Sequence, residues 1–96
     1  MAELEVRPTA SADIAGIYAY SVEQFGVDAA DKYHDGLEAA ISRLAEFPMS
    51  GPVYPGLRRP MRYLAFRRHH IFYDFDGTTV RIARILHHAM DVRRLL

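Results

Sequence analysis

The stretch RHHIFYDFDGTTVRIARILH, residues 68–87, decides the fold of this 96-residue chain. It contains two runs rich in β-branched and aromatic residues, Arg68–Phe75 and Thr79–His87, on either side of the dipeptide Asp76-Gly77. Asp-Gly between such runs is a strong signal for a β-hairpin. A two-residue turn there predicts these cross-strand pairs: Phe75 with Thr78, Tyr73 with Val80, Ile71 with Ile82 and His69 with Arg84.

This register predicts two chemically different faces for the hairpin. The apolar face, expected to lie on helices, carries Ile71, Tyr73, Phe75, Val80, Ile82 and Leu86. The other face mixes apolar and cationic residues: Arg68, His70, Phe72, Asp74, Arg81, Ala83, Ile85 and His87. Because two helices cover only one side of a small antiparallel sheet, we expect a partner to complete the mixed face. The alternative is that another segment of the chain folds over it.

Two helices and two more strands are predicted outside the hairpin. Apolar residues alternate with charged ones in Glu3–Arg7, which predicts a strand, and Arg62–Phe66 predicts another. Helical spacing of apolar residues follows from Ala10 to Phe25, where Gly26 ends the helix, and again from about Asp28 to Phe47. The short connection predicts an antiparallel helix hairpin. Gly36 inside the second helix costs about 1 kcal/mol relative to alanine, and we interpret it as the point where the first helix crosses.

The segment between the helices and the sheet is a loop. It holds four prolines and two glycines from Pro48 to Pro60, so neither a helix nor a central strand can run through it. The sequence therefore predicts a single α+β domain over residues 1–96. Its order is an N-terminal strand, the helix hairpin, a three-stranded antiparallel sheet, and a short C-terminal helix or tail at Asp91–Leu96.

Charge is divided unequally along the chain. Residues 57–96 hold nine arginines against three aspartates, a balance of +6, whereas residues 1–56 hold three cations against nine acids, a balance of −6. Such a division indicates an acidic or polyanionic partner on one surface. Eleven of the twelve cations are arginine, whose planar guanidinium pairs with carboxylate or phosphate through two hydrogen bonds.

Composition and length narrow the classes of function. A chain of this size forms one core without room for a deep pocket and a lid, which disfavours a small-molecule enzyme. Cysteine is absent, and neither a signal peptide nor an apolar run of membrane-spanning length is present, so we expect a cytoplasmic protein without a membrane contact. The histidine pairs His69-His70 and His87-His88 lie on predicted strands, where neighbours point to opposite faces. We therefore expect neither a metal site nor a cofactor.

Four segments in this order resemble the ParE-type toxins of the RelE/ParE superfamily. They are YHDGLEAAISRLAEFP at 33–48, PGLR at 55–58, RHHIFY at 68–73, and RIARILH at 81–87 followed by Met90-Asp91. The resemblance implies a bacterial growth-inhibiting toxin that a ParD-type antitoxin neutralises in a hetero-oligomeric complex. It also implies DNA gyrase as the usual target of the family, poisoned without catalysis by the toxin. Antitoxins of that type carry acidic, amphipathic C-terminal segments, which the mixed face would suit.

The candidate binding residues form two groups. The antitoxin-binding group lies on the mixed face and comprises Arg68, His70, Phe72, Arg81 and Ile85. The target-binding group lies beside the proline-rich loop and at the C-terminus and comprises Arg58, Arg59, Arg62, Arg93 and Arg94.

Two alternative functions remain open. One is the RelE branch, which cleaves mRNA on the ribosome, with His70, Arg81 and His87 as the catalytic candidates. That branch draws on lysines and a tyrosine near the C-terminus, whereas this chain has only Lys32 and no tyrosine after Tyr73. The other alternative is a nucleic-acid-binding module, but no helix-turn-helix, zinc-knuckle or RRM motif is present. We therefore expect no sequence-specific DNA binding.

Overall fold

A four-stranded sheet with two helices on one face makes up the protein, whose computed structural model describes residues Met1–Leu96. The elements in chain order are β1 (Glu3–Val6), α1 (Pro8–Phe25), α2 (Val27–Glu46), β2 (Arg62–Phe66), β3 (His69–Phe75), β4 (Thr79–His87) and α3 (Val92–Leu95). This order confirms the predicted α+β architecture. The strands lie in the order β1-β4-β3-β2, and β1 occupies an edge, where it pairs parallel with β4. No helix is long and apolar enough to span a bilayer.

The helix hairpin has a connection of one residue. Pro8 is the first residue of α1, a position that suits proline because no intrahelical partner awaits its missing N–H. Gly26 separates α1 from α2 with a φ of +87°, a conformation that favours glycine, and its N–H donates to the Val22 carbonyl. No side chain caps the N-terminus of α1 or α2 through a hydrogen bond. Thr9 instead donates its hydroxyl to the Ala83 carbonyl of β4 at 2.9 Å and so ties α1 to the sheet.

The β3–β4 hairpin forms, but the predicted register is wrong. Phe75 pairs with Val80, so the two turn residues are Gly77 and Thr78 rather than Asp76 and Gly77. The carboxylate of Asp76 accepts the N–H groups of Thr78 and Thr79, which fixes this turn, and Gly77 has a φ of +98°.

A bulge in β4 changes the register a second time. Phe72 pairs with Arg84, yet the next residue, Tyr73, pairs with Ile82, which leaves Ala83 as an extra residue in β4. One extra residue reverses the side-chain alternation beyond it. Ile85 therefore belongs to the core beneath the helices, and Leu86 belongs to the opposite side, the reverse of the prediction.

The sheet is consequently covered on both faces. The inner core lies between the helices and the sheet and contains Ala10, Leu37, Ile41, Leu44, Ile71, Tyr73, Val80, Ile82 and Ile85. A smaller outer core contains Phe72, Leu86 and Val92 under partly buried Tyr54, Leu57, Met61 and Tyr63. The proline-rich loop and α3 thus fold over the face that we expected to be open, so the alternative of an intramolecular cover is correct.

Two contacts attach the loop and β2 to the rest of the fold. The buried hydroxyl of Tyr73 donates to the Pro48 carbonyl and accepts the Gly51 N–H, both at 2.9 Å. A Cβ on Gly36 would lie 2.8 Å from the ring of Phe66 in β2, so the glycine admits this ring. The predicted close crossing of α1 at Gly36 is therefore wrong.

Candidate functional site

A groove of about 670 Å³ runs between the helix hairpin and the end of the sheet where β3 begins and β4 ends. We call it the groove. Its lining residues come from α1, α2, the β2–β3 turn and the end of β4: Ala12, Asp13, Gly16, Ile17, Tyr20, Ser21, Phe25, Ala29, Tyr33, Arg67, Arg68, His69, Arg84, Ile85, Leu86, His87 and Met90. These residues are distant in sequence, and only the packing of α1 against β4 brings them together.

The helix side of the groove is apolar and open. Gly16 has no atom within 4 Å of the position that a Cβ would take, so the wall is low at this point of α1. Large apolar side chains stand exposed around it: Tyr20 at 61%, Phe25 at 66% and Met90 at 49%. Contiguous exposed apolar residues of this kind are typical of a surface that binds another protein.

The sheet side of the groove is basic. Arg67 and Arg68 form the β2–β3 turn, and neither makes an ion pair with a carboxylate within 4.0 Å. Arg67 has a φ of +52°, which is uncommon for a residue with a side chain. Its guanidinium lies over the rings of Tyr33, at 5.7 Å, and Phe66, at 5.5 Å, which supports this conformation.

Histidines lie next to these arginines on the sheet side of the groove. The Tyr33 hydroxyl lies 2.6 Å from Nδ1 of His69, whose ring meets that of His87 edge-on at 5.6 Å, and His87 stacks on His88 at 4.4 Å. Burial lowers the pKa of His69, and the neighbouring His87 and His88 lower it further. Its imidazole is therefore largely neutral at pH 7 and shares a hydrogen bond with the Tyr33 hydroxyl, whose pKa is raised by burial.

Asp13 anchors the groove to β4. Its carboxylate accepts Nε of Arg84 at 2.8 Å, Nη2 of Arg84 at 3.1 Å and the backbone N–H of Ile85 at 2.9 Å. The hydrogen bonds to Asp13 raise the pKa of Arg84. The carboxylate of Asp13 neutralises the charge of Arg84. Arg67 and Arg68 are therefore the arginines of the groove that remain free to bind an acidic ligand.

A second basic surface lies on the outer side of the sheet. We call it the arginine face. Of the predicted target-binding residues it contains Arg58, Arg59, Arg93 and Arg94, whereas Arg62 pairs with Tyr73 of the inner core and therefore lies on the helix side of the sheet. None of the five makes an ion pair with a carboxylate within 4.0 Å. Leu57 and Val92 both pack on the outer core, and Arg93 lies against Gly56, so the loop arginines and the tail arginines lie on the same side of the molecule.

Two of these arginines also contact the proline-rich loop, which together with α3 forms the cover of the outer core. Arg62 donates Nη1 to the Gly51 carbonyl at 2.7 Å. The guanidinium of Arg93 lies against Gly56, where a Cβ would be 2.7 Å from Nη2, and Gly56 has a φ of +83°. The Arg62 contact joins β2 to the proline-rich loop, and the Arg93 contact joins α3 to it. Arg58, Arg59 and Arg94 are exposed without a partner.

The predicted antitoxin-binding residues do not share one surface. Arg68 and Ile85 line the groove, although Ile85 is only 2% exposed. Phe72 is fully buried under the loop, so the prediction that it is exposed is wrong. His70 packs against Tyr63, and Arg81 lies beside the hairpin turn, where it pairs with Asp76 at 2.8 Å.

The three nuclease candidates are also separated. His70 pairs with Leu86, whereas Arg81 pairs with Asp74, four residues further along β3 and therefore about 13 Å away. His87 lies opposite His69 at the other end of the hairpin from Arg81. The structure therefore does not assemble these residues into one catalytic site. No group of three or more histidine, aspartate or glutamate side chains is placed to hold a metal ion.

Sequence reasoning missed most of the groove. The predicted binding residues include none of Gly16, Tyr20 and Phe25 of α1, and none of Tyr33, Arg67 and His69. One signal was available, because Tyr20 and Phe25 extend the apolar surface of α1 beyond what its packing on α2 requires.

Comparisons with known proteins agree with this fold. The profile of the family described as "ParE toxin of type II toxin-antitoxin system, parDE" matches residues 4–92. Toxin ParE1 of Caulobacter vibrioides is 38% identical over 84 residues, which cover 88% of this chain and 86% of that protein. Toxin ParE1 of Mycobacterium tuberculosis is 36% identical over 90 residues, which cover 93% and 92%.

A solved structure shares the fold. The structure described as "Chromosomal ParDE TA system from P. aeruginosa" superposes with a TM-score of 0.78 and covers 91% of this chain and 96% of its own, at 23% identity. The fold is common to both, and the family profile extends over nearly the whole sequence. The chain belongs to the ParE toxin family of type II toxin–antitoxin systems.

Proposed function

We propose that the protein is a growth-inhibiting toxin whose groove binds an acidic, amphipathic segment of a ParD-type antitoxin. The observation that carries the proposal is the pairing, within one groove, of an open apolar side with a basic side. An amphipathic helix would lay its apolar face against Tyr20, Phe25 and Met90. Its acidic residues would then meet Arg67 and Arg68.

The family is one of toxin–antitoxin systems, which supports an antitoxin as the partner. The positive balance of residues 57–96 agrees with an acidic one. The antitoxin site is therefore the groove and not the mixed sheet face, because the loop and α3 cover that face. Of the residues predicted from the sequence, Arg68 and Ile85 remain in this site. The complex is a hetero-oligomer, whose stoichiometry light scattering would measure.

Titration calorimetry with the antitoxin tests the groove. Exchanging Arg67 and Arg68 together for glutamate should weaken binding by about tenfold or more, because two favourable charge contacts become repulsive. The matched control exchanges exposed Arg7 and Arg43, which lie outside the groove, for glutamate. Equal losses of affinity in the two variants would show that only net charge matters and would reject the site.

We propose DNA gyrase as the target, with binding rather than catalysis by the toxin as the mode of action. Family membership supports this target, as do Arg58, Arg59 and Arg94, which are exposed and have no partner within the fold. The RelE-type alternative receives less support, because His70, Arg81 and His87 lie apart.

Two parallel assays discriminate between these targets. The free toxin is added to a gyrase supercoiling and cleavage-complex assay and to a ribosome-dependent mRNA cleavage assay. Inhibited supercoiling with intact mRNA is the expected result. Cleaved mRNA with unaffected gyrase would transfer the protein to the nuclease branch.

A further inference from the structure

The arginine face differs chemically from a protein-binding surface. Its loop turns Tyr54 and Leu57 inward onto the outer core, as Met61 does, but leaves Met49 and Val53 63% and 55% exposed. Leu95 and Leu96, which end the chain, are 40% and 38% exposed and are the apolar residues that α3 offers to solvent. A stable protein interface is usually built around buried aromatic anchors, whereas this surface combines three unpaired arginines with scattered aliphatic side chains.

The same face is rigidly supported. Arg62 is hydrogen-bonded to Gly51, Arg93 lies against Gly56, and the Tyr73 hydroxyl holds both Pro48 and Gly51. Arginines on such a support lose less conformational freedom when they bind than arginines on a mobile loop. The cover therefore presents exposed guanidinium groups on an ordered platform.

We propose that the arginine face binds the phosphodiester backbone of duplex DNA without reading its sequence. Guanidinium groups match phosphate oxygens through paired hydrogen bonds, and a row of phosphates supplies repeated negative charge without needing an apolar anchor. Glu3 and Glu5 of β1 lie on the outer side of the sheet at its far edge, beside Arg81, so DNA would approach at the proline-rich loop and α3, which carry the unpaired arginines. No element of the arginine face is a recognition helix, which agrees with backbone contact alone.

In the proposed complex with gyrase, this face would contact the DNA that the enzyme holds. This extension rests on the proposed target. The binding of DNA by the isolated toxin does not, because it follows from the charge and the geometry of the arginine face.

Fluorescence anisotropy with a short labelled duplex tests the inference, at salt concentrations from about 50 to about 200 mM. The test variant exchanges Arg58, Arg59 and Arg94 for glutamine, which removes three charges and keeps the Arg93 contact with Gly56. The matched control exchanges Arg7, Lys32 and Arg43 for glutamine, which removes the same charge from the other surfaces. Circular dichroism and thermal melting establish that both variants are folded.

Binding by the wild type should weaken with salt, with a slope of log K against log salt of about −0.9 for each phosphate neutralised. The test variant should lower that slope by up to about 2.7 and should bind at least about tenfold more weakly at low salt, whereas the control should retain wild-type binding. Absence of DNA binding by the wild type, or equal losses in both variants, would overturn the inference.

The gyrase assay separates this inference from the proposed function. DNA binding that depends on the arginine face, together with unaffected gyrase, would support the inference and reject the target. Gyrase inhibition by a toxin that does not bind DNA would reject the inference and leave the target standing.

Discussion

The groove and the arginine face are both basic, but they are built in opposite ways. The groove leaves large apolar side chains exposed beside its cations, and one of its arginines, Arg84, is neutralised by Asp13. The arginine face turns its aromatic side chain, Tyr54, into the outer core and leaves Arg58, Arg59 and Arg94 without partners. Equal charge thus gives two different binding surfaces, because the position of the apolar residues decides whether a folded peptide or a polyanion fits.

The largest expected effect on stability comes from removing Asp13, the residue that joins the groove to β4. Asp13→Ala leaves the Arg84 guanidinium and the Ile85 N–H without their partner, and both are largely removed from solvent. We expect a loss of about 3 kcal/mol in the free energy of unfolding, measured by chemical denaturation. Glu23→Ala, an exposed acid on the same helix, is the control and should change stability by less than about 0.5 kcal/mol. Equal effects would mean that Asp13 acts only as a surface charge.

A second change fills the groove without disturbing the fold. Gly16→Glu should weaken antitoxin binding by about 100-fold, or about 2.7 kcal/mol, because a bulky acid enters the open wall of α1. Gly16→Ala is the control, since its Cβ meets open space, and it should raise stability by about 0.5 to 1 kcal/mol through its better helix propensity. Calorimetry and denaturation measure the two results. Unaltered antitoxin affinity in Gly16→Glu would place the antitoxin elsewhere.

A third change acts on the cover and spares the groove. Tyr73→Phe removes the hydroxyl that serves Pro48 and Gly51, which leaves a carbonyl and an N–H unpaired near the buried ring. We expect a loss of about 1.5 kcal/mol and faster hydrogen exchange of the loop amides, with little change in α1. Tyr20→Phe, whose hydroxyl is exposed, should leave stability unchanged. Faster exchange throughout the molecule would show that cover and groove are not independent.

The smallest effect lies away from both surfaces, at the hairpin turn. Hydrogen bonds from the Thr79 and Thr78 N–H groups, assisted by Arg81, lower the pKa of Asp76 to about 2. Because the pKa is lower in the folded protein than in the unfolded chain, the carboxylate stabilises the fold above about pH 4, and this contribution is lost as the pH falls through about 2. Asp76→Asn should therefore reduce the pH dependence of stability in this window, measured by acid titration followed by circular dichroism. Identical pH profiles would contradict the assignment.

The order of elements was predictable because local signals agree with one another. Apolar periodicity along α2, glycine after α1 and the Asp-Gly turn each act over a few residues, so one sequence suffices to recognise them. The register was not predictable, because Ala83 carries no mark of a bulge and a single extra residue exchanges the faces of Ile85 and Leu86. The cover of the sheet was foreseen only as an alternative, because loop docking depends on contacts such as Tyr73 with Pro48.

The two surfaces show the same limit. The arginine face could be recognised from the sequence because its residues cluster beside one loop and at the chain end, and the structure needed only to join these segments through Arg93 and Gly56. The groove could not be recognised from the sequence, because Gly16, Arg67 and His87 are far apart in the chain and only the packing of helices on the sheet brings them together.

The sequence by itself determined the α+β class, the order of the elements and the separation of charge, because these follow from composition and short-range pattern, while its resemblance to ParE-type toxins indicated the family that the comparisons show. Only the tertiary structure decided which faces are covered, which arginines remain free and where an apolar surface meets a basic one. The physical reason is that burial is a property of contacts between distant segments, and a one-residue change of register is enough to reassign them.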